Sequence, residues 1–332
     1  MTDITMTAVT IAVLAIVALL IGKTLEWLIR KLTVPLLTEK YVLITGCDSG
    51  FGNLLAKQLD KKGIHVIACC FTSDGKKSLE STTSKKLTTL GLDVSSHDSV
   101  LECYESVKKI LPVEAGLWGL VNNAGVTGFV GPMDWCDLDS YSKIVRVNLL
   151  GVVDMTLTFL PLIYKASGRV VNISSSYGRF PMISGGYSEA KFGVESFTDG
   201  LRMHFKSIGS PCYTSVLEPG HFRTPVTDQT AFRKSLYGRY SKLRPEIKSL
   251  YPSDAKAYIE RMADENDKTL DILLSSRIHL VTDAYEHALI SRYPKKRYAV
   301  GWDARLIWVP LSYTPSWVTD LIIPNFMNRK IN

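Results

Sequence analysis

The hydrophobic pattern of this chain alternates between short apolar runs and longer segments with helical spacing. The apolar runs lie at residues 41–44, 65–70, 90–94, 119–121 and 169–173, and each ends at small or polar residues. Short runs bounded in this way are typical of buried strands in a parallel sheet. The pattern predicts an α/β fold with a doubly wound parallel sheet, whose strand ends line a ligand crevice.

A glycine-rich turn follows the first predicted strand. Residues 45–52 read TGCDSGFG, and residues 53–59 continue with helical spacing. Glycines let the backbone come close to a pyrophosphate at the start of a helix, where free N–H groups and the helix dipole favour anions. Although the spacing is G-x-x-x-G-x-G and not G-x-G-x-x-G, the strand before the turn and the helix after it predict a dinucleotide site.

Tyr187 and Lys191 are four residues apart, shortly after the serines at 174–176. On a helix these two side chains share one face. A cation about 4 Å from a phenol contributes about 4 kcal/mol at an effective dielectric near 20, or roughly three pKa units. The pair therefore suits general acid and base chemistry. Taken alone, it also suits a surface tyrosine above a lysine.

These motifs occur together and in order. They are TGxxxGxG at 45–52, NNAG at 122–125, Asn148, Ser175, Tyr187-x-x-x-Lys191 and Pro219-Gly220. The set resembles the short-chain dehydrogenase/reductase family, which implies a Rossmann-like sheet and an NAD(P)-dependent alcohol dehydrogenase. Three runs resemble most closely its membrane-bound retinol and hydroxysteroid dehydrogenases: GCDSGFG at 46–52, WGLVNNAG at 118–125 and YAVGWDA at 298–304.

The resemblance implies three catalytic roles around a proton path. Tyr187 would be the acid/base, and Lys191 would lower its pKa and hold the ribose of the cofactor. Asn148 would anchor a water that relays protons to Lys191, and a helix asparagine bonded to backbone is compatible with that role. Hydride would pass between the carbinol carbon and the nicotinamide while the alcohol proton passes to Tyr187.

The resemblance also implies a serine that hydrogen-bonds the substrate oxygen. Ser175 is preferred because Gly178 follows it by three residues, as the family pattern expects. Ser174 is the alternative.

The cofactor contacts implied by the resemblance come from several strand ends. Asp93 would contact adenine, or alternatively cap a helix before Ser95. Thr224 would contact the nicotinamide amide, or alternatively cap a turn. The full set of expected cofactor residues is Thr45, Gly46, Ser49, Gly50, Phe51, Gly52, Asp93, Asn122, Ala124, Gly125, Tyr187, Lys191, Pro219, Gly220 and Thr224.

The choice between NAD and NADP depends on the end of the second strand, where an acid selects NAD and an arginine accommodates NADP. Cys69 and Cys70 occupy those places, so neither signal is present. Asp48 disfavours a 2′-phosphate nearby, whereas Lys76 and Lys77 favour one. We expect NAD, with NADP as the alternative.

The N-terminus predicts a membrane anchor. Residues 4–22 are uncharged and mostly apolar, and as a helix they span about 28 Å, close to a bilayer core. A cleaved signal is the alternative, but Asp3 stands where a basic start is usual. Basic residues follow the span and none precedes it, so the catalytic domain should face the cytosol. With the resemblance, this predicts a single-pass protein of the endoplasmic reticulum membrane.

The sequence suggests an anchor and linker at residues 1–38 and a dehydrogenase domain at 39–332. Within that domain, residues 221–283 depart from strand and helix alternation and include a charged helical piece at 255–267. In the family this region covers the substrate. Residues 306–327 are rich in Trp, Leu and Ile but are interrupted by prolines and Asp320, which makes core packing the expected state and contact with the membrane the alternative.

Composition narrows the possible partners. The chain has 332 residues, 46% of them hydrophobic, and a net charge of +7 that is dispersed and not gathered with aromatic residues, so no nucleic-acid partner is expected. The 6 cysteines have no metal-ligand spacing and are consistent with a reducing compartment. Membrane lipid and, from the resemblance, a second copy of the chain in a homodimer are the expected partners.

Three functions follow from these observations. The first is oxidoreduction of a hydrophobic alcohol or ketone that arrives from the bilayer, with retinol and a 3α- or 17β-hydroxysteroid as candidates. The second is the same reaction on a small hydroxy acid such as 3-hydroxybutyrate, which needs basic residues in the pocket, and Arg223 is the obvious candidate. The third is a catalytically silent nucleotide-binding membrane protein, which the combined motifs argue against.

Overall fold

The computed structural model describes residues 2–182, 185–224 and 229–327. Its centre is a parallel sheet of seven strands in the order β3-β2-β1-β4-β5-β6-β7. This confirms the predicted doubly wound, Rossmann-like fold. The strands are β1 (Tyr41–Thr45), β2 (His65–Cys70), β3 (Leu87–Gly91), β4 (Gly119–Asn122), β5 (Arg169–Ile173), β6 (Tyr213–Pro219) and β7 (Arg297–Val300).

Helices cover both faces of the sheet. One face packs against α2 and α11, and the other against α4, α6 and α7, so the strands are buried on both sides. The helices are α1 (Thr2–Arg30), α2 (Gly50–Lys61), α3 (Ser73–Glu80), α4 (His97–Ile110), α5 (Leu138–Val145), α6 (Gly151–Ala166), α7 (Tyr187–Ser207), α8 (Gln229–Ser241), α9 (Pro245–Lys248), α10 (Ala255–Leu273), α11 (His279–Ile290), α12 (Val309–Leu311) and α13 (Ser316–Met327).

The strand order reverses between β1 and β4. β1 pairs with β2 on one side and with β4 on the other. From β1 to β3 the chain adds strands toward one edge of the sheet, and from β4 to β7 it adds them toward the opposite edge. In open parallel sheets a ligand crevice forms at this point, outside the carboxyl ends of the strands. The glycine turn after β1 and the loop after β4 therefore face one another.

Helix α1 is long and apolar enough to cross a bilayer, and its described side chains in the apolar stretch are exposed. Its end is attached to the catalytic domain, because Arg30 Nη1 donates to the carbonyl of Tyr293 at 2.7 Å and Arg30 O accepts from Ser291 Oγ at 2.7 Å. A second apolar helical stretch, Leu138–Ala166, also has sufficient length. Met155 and Phe159 of that stretch are fully buried in the domain, so it is a core helix.

The described residues of the region at 221–283 form a helical layer with its own small core. The predicted charged helix lies within α10, which packs against α8 and α9 around Trp135. The anchor and domain boundaries stay predictions. Residues 1, 183–184, 225–228 and 328–332, which those boundaries include, lie outside the described residues.

The C-terminal segment only partly matches the expectation of core packing. Trp308 is 2% exposed and packs against Tyr177 and Phe180, but Trp317 is 65% exposed. Core packing therefore holds near residue 308 and for Ile323 of α13, whereas Trp317, Leu321 and Ile322 of that helix are exposed. All six cysteines are free thiols, and the described residues contain no cluster suited to a metal ion.

Candidate active site

The turn after β1 requires glycine at two points. Gly46 has φ +69, and a Cβ there would lie 2.7 Å from the Cα of Ala124. A Cβ on Gly52 would lie 2.4 Å from the carbonyl oxygen of Gly46. These close approaches let the turn fold back on itself at the start of α2 and present bare backbone, which fits a bound pyrophosphate.

Thr45 holds the turn against the loop after β4. Its hydroxyl accepts hydrogen bonds from the amides of Asn123 and Ala124, both at 3.0 Å. In return, Asn123 Nδ2 donates to the carbonyls of Thr45 at 2.9 Å and of Gly46 at 3.1 Å. Thr45 therefore shapes the predicted cofactor site from behind and does not line it.

A cleft of about 820 Å³ runs along the carboxyl edge of the sheet. It brings together residues that are far apart in sequence but were predicted to share one site. Thirteen of the predicted residues line it: Gly46, Ser49, Gly50, Phe51, Asp93, Ala124, Gly125, Ser175, Tyr187, Lys191, Pro219, Gly220 and Thr224. Four do not: Thr45, Gly52, Asn122 and Asn148.

The side chain of Ser175 lies beside the hydroxyl of Tyr187, close enough to lower the pKa of the phenol. Ser174 also lines the cleft, but its hydroxyl is engaged, because it donates to the backbone carbonyl of Lys191 at 3.2 Å. The loop after β5 thus places Ser175 beside the phenol at the start of α7. This geometry favours Ser175 over Ser174 as the group that meets a substrate oxygen.

Lys191 is buried one helical turn after Tyr187. Its Nζ donates to the carbonyl of Ile173 at 3.0 Å and lies 5.6 Å from the centroid of the Tyr187 ring. Burial lowers the pKa of Lys191 to about 8, although the charge of Glu195 partly opposes this shift. The ammonium is therefore held in place but is costly to keep charged.

The pKa of the Tyr187 phenol shifts in the opposite direction from the one that the sequence predicts. Burial raises the pKa of Tyr187 above its ordinary value, and the hydrogen bond from Ser175 only partly offsets this. The Lys191 ammonium lies over the ring, 5.6 Å from its centroid, and bonds the carbonyl of Ile173, so in the protein alone it does not produce the expected decrease. A bound nicotinamide in its oxidised form would add positive charge at this end of the cleft, which favours the phenolate.

Asn148 does not line the cleft and instead holds the loop after β4. It lies in a π-helical turn, Arg146–Leu150, where its Oδ1 accepts from the amide of Val126 at 2.9 Å. Its Nδ2 donates to the carbonyl of Val126 at 2.7 Å. Both ends of the carboxamide thus bond backbone, which is compatible with the expected role. The expected water relay stays a prediction.

Asn122 belongs to the interior. Its Nδ2 donates to Asn172 Oδ1 at 2.8 Å and to Thr156 Oγ1 at 2.9 Å, and only 1% of the residue is exposed. The expectation that it contacts the cofactor is not supported by this position, since the pleat of β4 turns it away from the cleft. Its neighbour Asn123 lines the cleft and was not among the predicted contacts.

Two acids lie toward the far end of the cleft from Tyr187. Asp48 accepts from the amides of Phe71 at 2.9 Å and Thr72 at 2.8 Å, just after β2. Burial opposes its ionisation, but these hydrogen bonds and that of the Thr72 hydroxyl hold the pKa of Asp48 below its ordinary value. A carboxylate therefore stands at the end of β2, although the strand itself ends in cysteines.

Asp93 follows β3 and closes a turn. Its Oδ1 accepts from the amide of Ser95 at 2.9 Å and from its hydroxyl at 2.7 Å. The alternative role as a helix cap is wrong, because Ser96 caps α4 by accepting from the amide of Ser99. Asp93 lines the cleft, where the adenine contact stays a prediction.

A hydrogen-bonded chain of three side chains was not predicted. The Tyr177 hydroxyl lies 2.7 Å from His221 Nε2, and His221 Nδ1 lies 2.7 Å from Asp303 Oδ2. Asp303 also accepts from the backbone amide of His221 at 2.9 Å. The chain joins the segments after β5, β6 and β7, and Tyr177 and His221 line the cleft. No local signal reveals it, since each residue comes from a different part of the sequence.

Comparison with known proteins agrees with this geometry. Residues 40–234 match the family model described as short chain dehydrogenase. Retinol dehydrogenase 7 of Rattus norvegicus is 42% identical over 297 residues, which cover 89% of this chain and 90% of that protein. The 17-beta-hydroxysteroid dehydrogenase type 6 of Bos taurus is 42% identical over 299 residues, covering 90% of this chain and 92% of that protein.

Solved structures share the fold. A short-chain dehydrogenase from Streptomyces avermitilis superposes with a TM-score of 0.62 at 22% identity, over 88% of this chain and 98% of that one. Serine dehydrogenase complexed with NADP+ has a TM-score of 0.53 at 27% identity, over 59% of this chain and 80% of that one.

The fold and cleft thus define a dehydrogenase that uses a nicotinamide dinucleotide. This chain belongs to the short-chain dehydrogenase family. It is an NAD(P)-dependent alcohol dehydrogenase, and the glycine turn and the residues around Tyr187 fit the two ends of such a cofactor.

Proposed function

We propose that this protein transfers hydride between NAD and a hydrophobic alcohol or ketone, a retinoid or a hydroxysteroid, at a membrane. The main support for this proposal is that Tyr187, Ser175 and Lys191 lie together in one cleft, the other half of which is largely apolar. That half is lined by Val130, Met182, Phe232, Met262 and Leu270. The names of retinol dehydrogenase 7 and 17-beta-hydroxysteroid dehydrogenase type 6 support the substrate class.

The residues supply the proton chemistry and the alignment. Ser175 donates to the substrate oxygen, and Tyr187 takes the alcohol proton or returns it to a ketone. Lys191 would hold the cofactor ribose from a fixed position against the carbonyl of Ile173. A bound nicotinamide supplies the hydride acceptor or donor. Asn148 keeps the loop after β4 in the shape that this arrangement needs.

NAD is supported by the position of Asp48. Its carboxylate lies at the end of β2, where an acid favours the free ribose hydroxyls and repels a 2′-phosphate. Lys76 and Lys77 follow in α3, so the preference depends on which charge lies closer to the ribose.

A small hydroxy acid is a poorer match. Arg223, the predicted partner of a carboxylate, is exposed and does not line the cleft. Lys143 and Arg146 do line it, but so does Glu265, whose charge would repel an acidic substrate. An anchored dehydrogenase would instead take an apolar alcohol directly from lipid. We further expect α1 to anchor the protein in the endoplasmic reticulum membrane with the catalytic domain in the cytosol, and the enzyme to be a homodimer.

The test is a substrate panel with the full chain in detergent-solubilised membranes. Retinol, 3α- and 17β-hydroxysteroids and 3-hydroxybutyrate are each assayed with NAD and with NADP. We expect turnover of the apolar alcohols with NAD, lowered by at least about 10²-fold in the Tyr187→Phe variant. Turnover of 3-hydroxybutyrate alone, or no difference between the wild type and Tyr187→Phe, would contradict the proposal.

A further inference from the structure

Helix α10 turns one face toward the cleft, and that face is partly polar. Met262, Glu265, Asn266, Thr269 and Leu270 line the cleft, at spacings of three and four residues that place them on one side of the helix. Met262 and Leu270 contribute apolar surface, as expected for a hydrophobic substrate. Glu265 and Asn266 instead bring a carboxylate and a carboxamide to the wall.

These two polar groups are not used to hold the protein together. The hydroxyl of Thr269 donates to the backbone carbonyl of Glu265 at 2.9 Å and is satisfied within the helix. Within residues 2–182, 185–224 and 229–327, the side chains of Glu265 and Asn266 have no hydrogen-bond or ion-pair partner.

Nearby acids of the same helix behave differently. Arg233 of α8 forms ion pairs with Glu260, Asp264 and Asp267. These three acids tie α10 to the helix beside it. Glu265 lies between them in sequence but faces the cleft, so its carboxylate is available to a ligand.

An apolar ligand alone would be a poor match for this wall. Both side chains are half-buried, and hydrocarbon pressed against them would remove water without replacing its hydrogen bonds. A ligand with an oxygen at this point would satisfy them. A hydroxyl can donate to the carboxylate of Glu265 and accept from the carboxamide of Asn266, and a ketone can accept from Asn266.

The polar pair lies away from the reacting end. Leu273, at the end of α10, belongs to the same apolar cluster as Tyr187. Asn266 precedes it by seven residues, which is about 10 Å along a helix. In a steroid that carries oxygens at both ends of its fused rings, the two oxygens are separated by a similar length.

We propose that Glu265 and Asn266 bind a second oxygen of the substrate, at the end remote from the carbon that reacts. The substrate class is then an apolar fused-ring alcohol with a second hydroxyl or ketone, such as a dihydroxysteroid. Retinol fits less well because its single oxygen is the one that reacts. This inference rests on the proposed function and narrows it.

The test compares substrates that differ only in the second oxygen. The full chain in detergent-solubilised membranes is assayed with NAD and four alcohols: a saturated steroid with 3α- and 17β-hydroxyls, the two steroids that each lack one of these oxygens, and retinol. For the wild type we expect kcat/KM to be about 10-fold or more higher for the diol than for either single alcohol or retinol.

The variants Glu265→Gln and Asn266→Leu then assign the preference to α10. Each keeps the approximate size of the side chain, and each should lower kcat/KM for the diol by about 10-fold while changing the single alcohols by less than about 3-fold. The matched control is Asp271→Asn, an exposed acid of the same helix, which should change nothing. Thermal unfolding of each variant checks that it is folded.

The outcomes separate the two proposals. Equal kcat/KM for diol, single alcohols and retinol in the wild type would overturn this inference and leave the proposed function intact. The same would follow if the variants slowed every substrate by one common factor, since that is the signature of a structural role. No turnover of any of the four alcohols by the wild type would overturn both. Should one variant fail to fold, the other variant decides, together with the wild-type ratio of kcat/KM for the diol to that for the single alcohols.

Discussion

The ring of His221 hydrogen-bonds the buried carboxylate of Asp303, with 2.7 Å between Nδ1 and Oδ2. His221 follows Gly220, which lines the cleft where the nicotinamide is expected, and Asp303 lies beyond the last strand. Asp303 also accepts from the backbone amide of His221 and from the indole of Trp308. One acid thus connects the end of β6 to the C-terminal segment.

Replacing this acid should loosen the end of β6. We expect Asp303→Asn to lower the free energy of unfolding by about 1–3 kcal/mol, because buried donors lose an ionised acceptor. Burial opposes ionisation of Asp303, but the hydrogen bonds from His221 hold the pKa of that carboxyl below its ordinary value. Its contribution is therefore complete above the ordinary carboxyl pKa and is lost as pH falls through the folded value. Denaturation of both proteins at neutral and acidic pH measures the difference, which should shrink in acid.

Tyr187→Phe should remove the proton carrier and little else. We expect kcat to fall by about 10²- to 10⁴-fold, the usual contribution of a positioned acid or base, with NADH binding nearly unchanged. Fluorescence titration measures binding and steady-state assays measure turnover. Tyr213→Phe, at an exposed tyrosine of β6, is the control that should retain activity. Comparable turnover in Tyr187→Phe would show that another group carries the proton.

The glycine turn offers a steric test. Gly46→Ala should weaken dinucleotide binding by at least about 10-fold and cost about 1–3 kcal/mol, because Gly46 has φ +69 and its new Cβ would overlap Ala124. Gly200→Ala is the matched control, since Gly200 lies in α7 with open space around it. That change should stabilise the protein by about 0.5–1 kcal/mol. Unaltered binding in Gly46→Ala would place the cofactor elsewhere.

The buried charge of Lys191 predicts an unusual pH dependence in the protein without cofactor. Burial lowers the pKa of Lys191 to about 8 from 10.5, so between these values the unfolded chain holds more of the proton and stability rises with pH. The rise from this group amounts to at most about 3 kcal/mol. In Lys191→Met that contribution should be absent, so the two denaturation curves should converge or cross between about pH 8 and 10.5. Parallel curves across this range would mean that Lys191 is not desolvated.

Asp48 should control the choice of cofactor. In Asp48→Asn the repulsion of a 2′-phosphate is lost, and the single amide oxygen can keep one of the two hydrogen bonds that Asp48 accepts from the amides of Phe71 and Thr72. We expect the ratio of kcat/KM for NADP to that for NAD to rise by about 10-fold, which corresponds to about 1.4 kcal/mol. Steady-state kinetics with both cofactors measures it. A constant ratio would assign selectivity to Lys76 or Lys77 instead.

The local patterns were sufficient for the strand and glycine-turn architecture. Apolar runs bounded by small residues placed the strands, and the turn at 45–52 placed the nucleotide site, because both depend on backbone geometry and neighbouring residues. Local spacing also brought Tyr187 and Lys191 onto one face of α7. The family resemblance supplied Ser175, and the structure puts it beside the phenol.

The sequence was less informative about the direction in which side chains point and about the direction of pKa shifts. Asn122 and Asn123 are adjacent, yet the pleat of β4 sends one into the core and leaves the other at the cleft. The pKa of Tyr187 depends on two opposing effects, the increase caused by burial and the decrease caused by nearby positive charge. The sequence shows the charged residue but not the burial. Asp48 is a further example, because it belongs to the loop after β1 but its carboxylate lies at the end of β2.

What the sequence by itself determined is therefore the order of elements, the dinucleotide turn, the apolar N-terminal helix and the family of the enzyme. These follow from short-range periodicity and from motifs that need no distant partner. The tertiary structure alone decided that Tyr177, His221 and Asp303 form one hydrogen-bonded chain, and that Glu265 and Asn266 face the cleft. Such contacts join segments far apart in the chain, and only the packing of the helices and strand ends brings them within reach of one another.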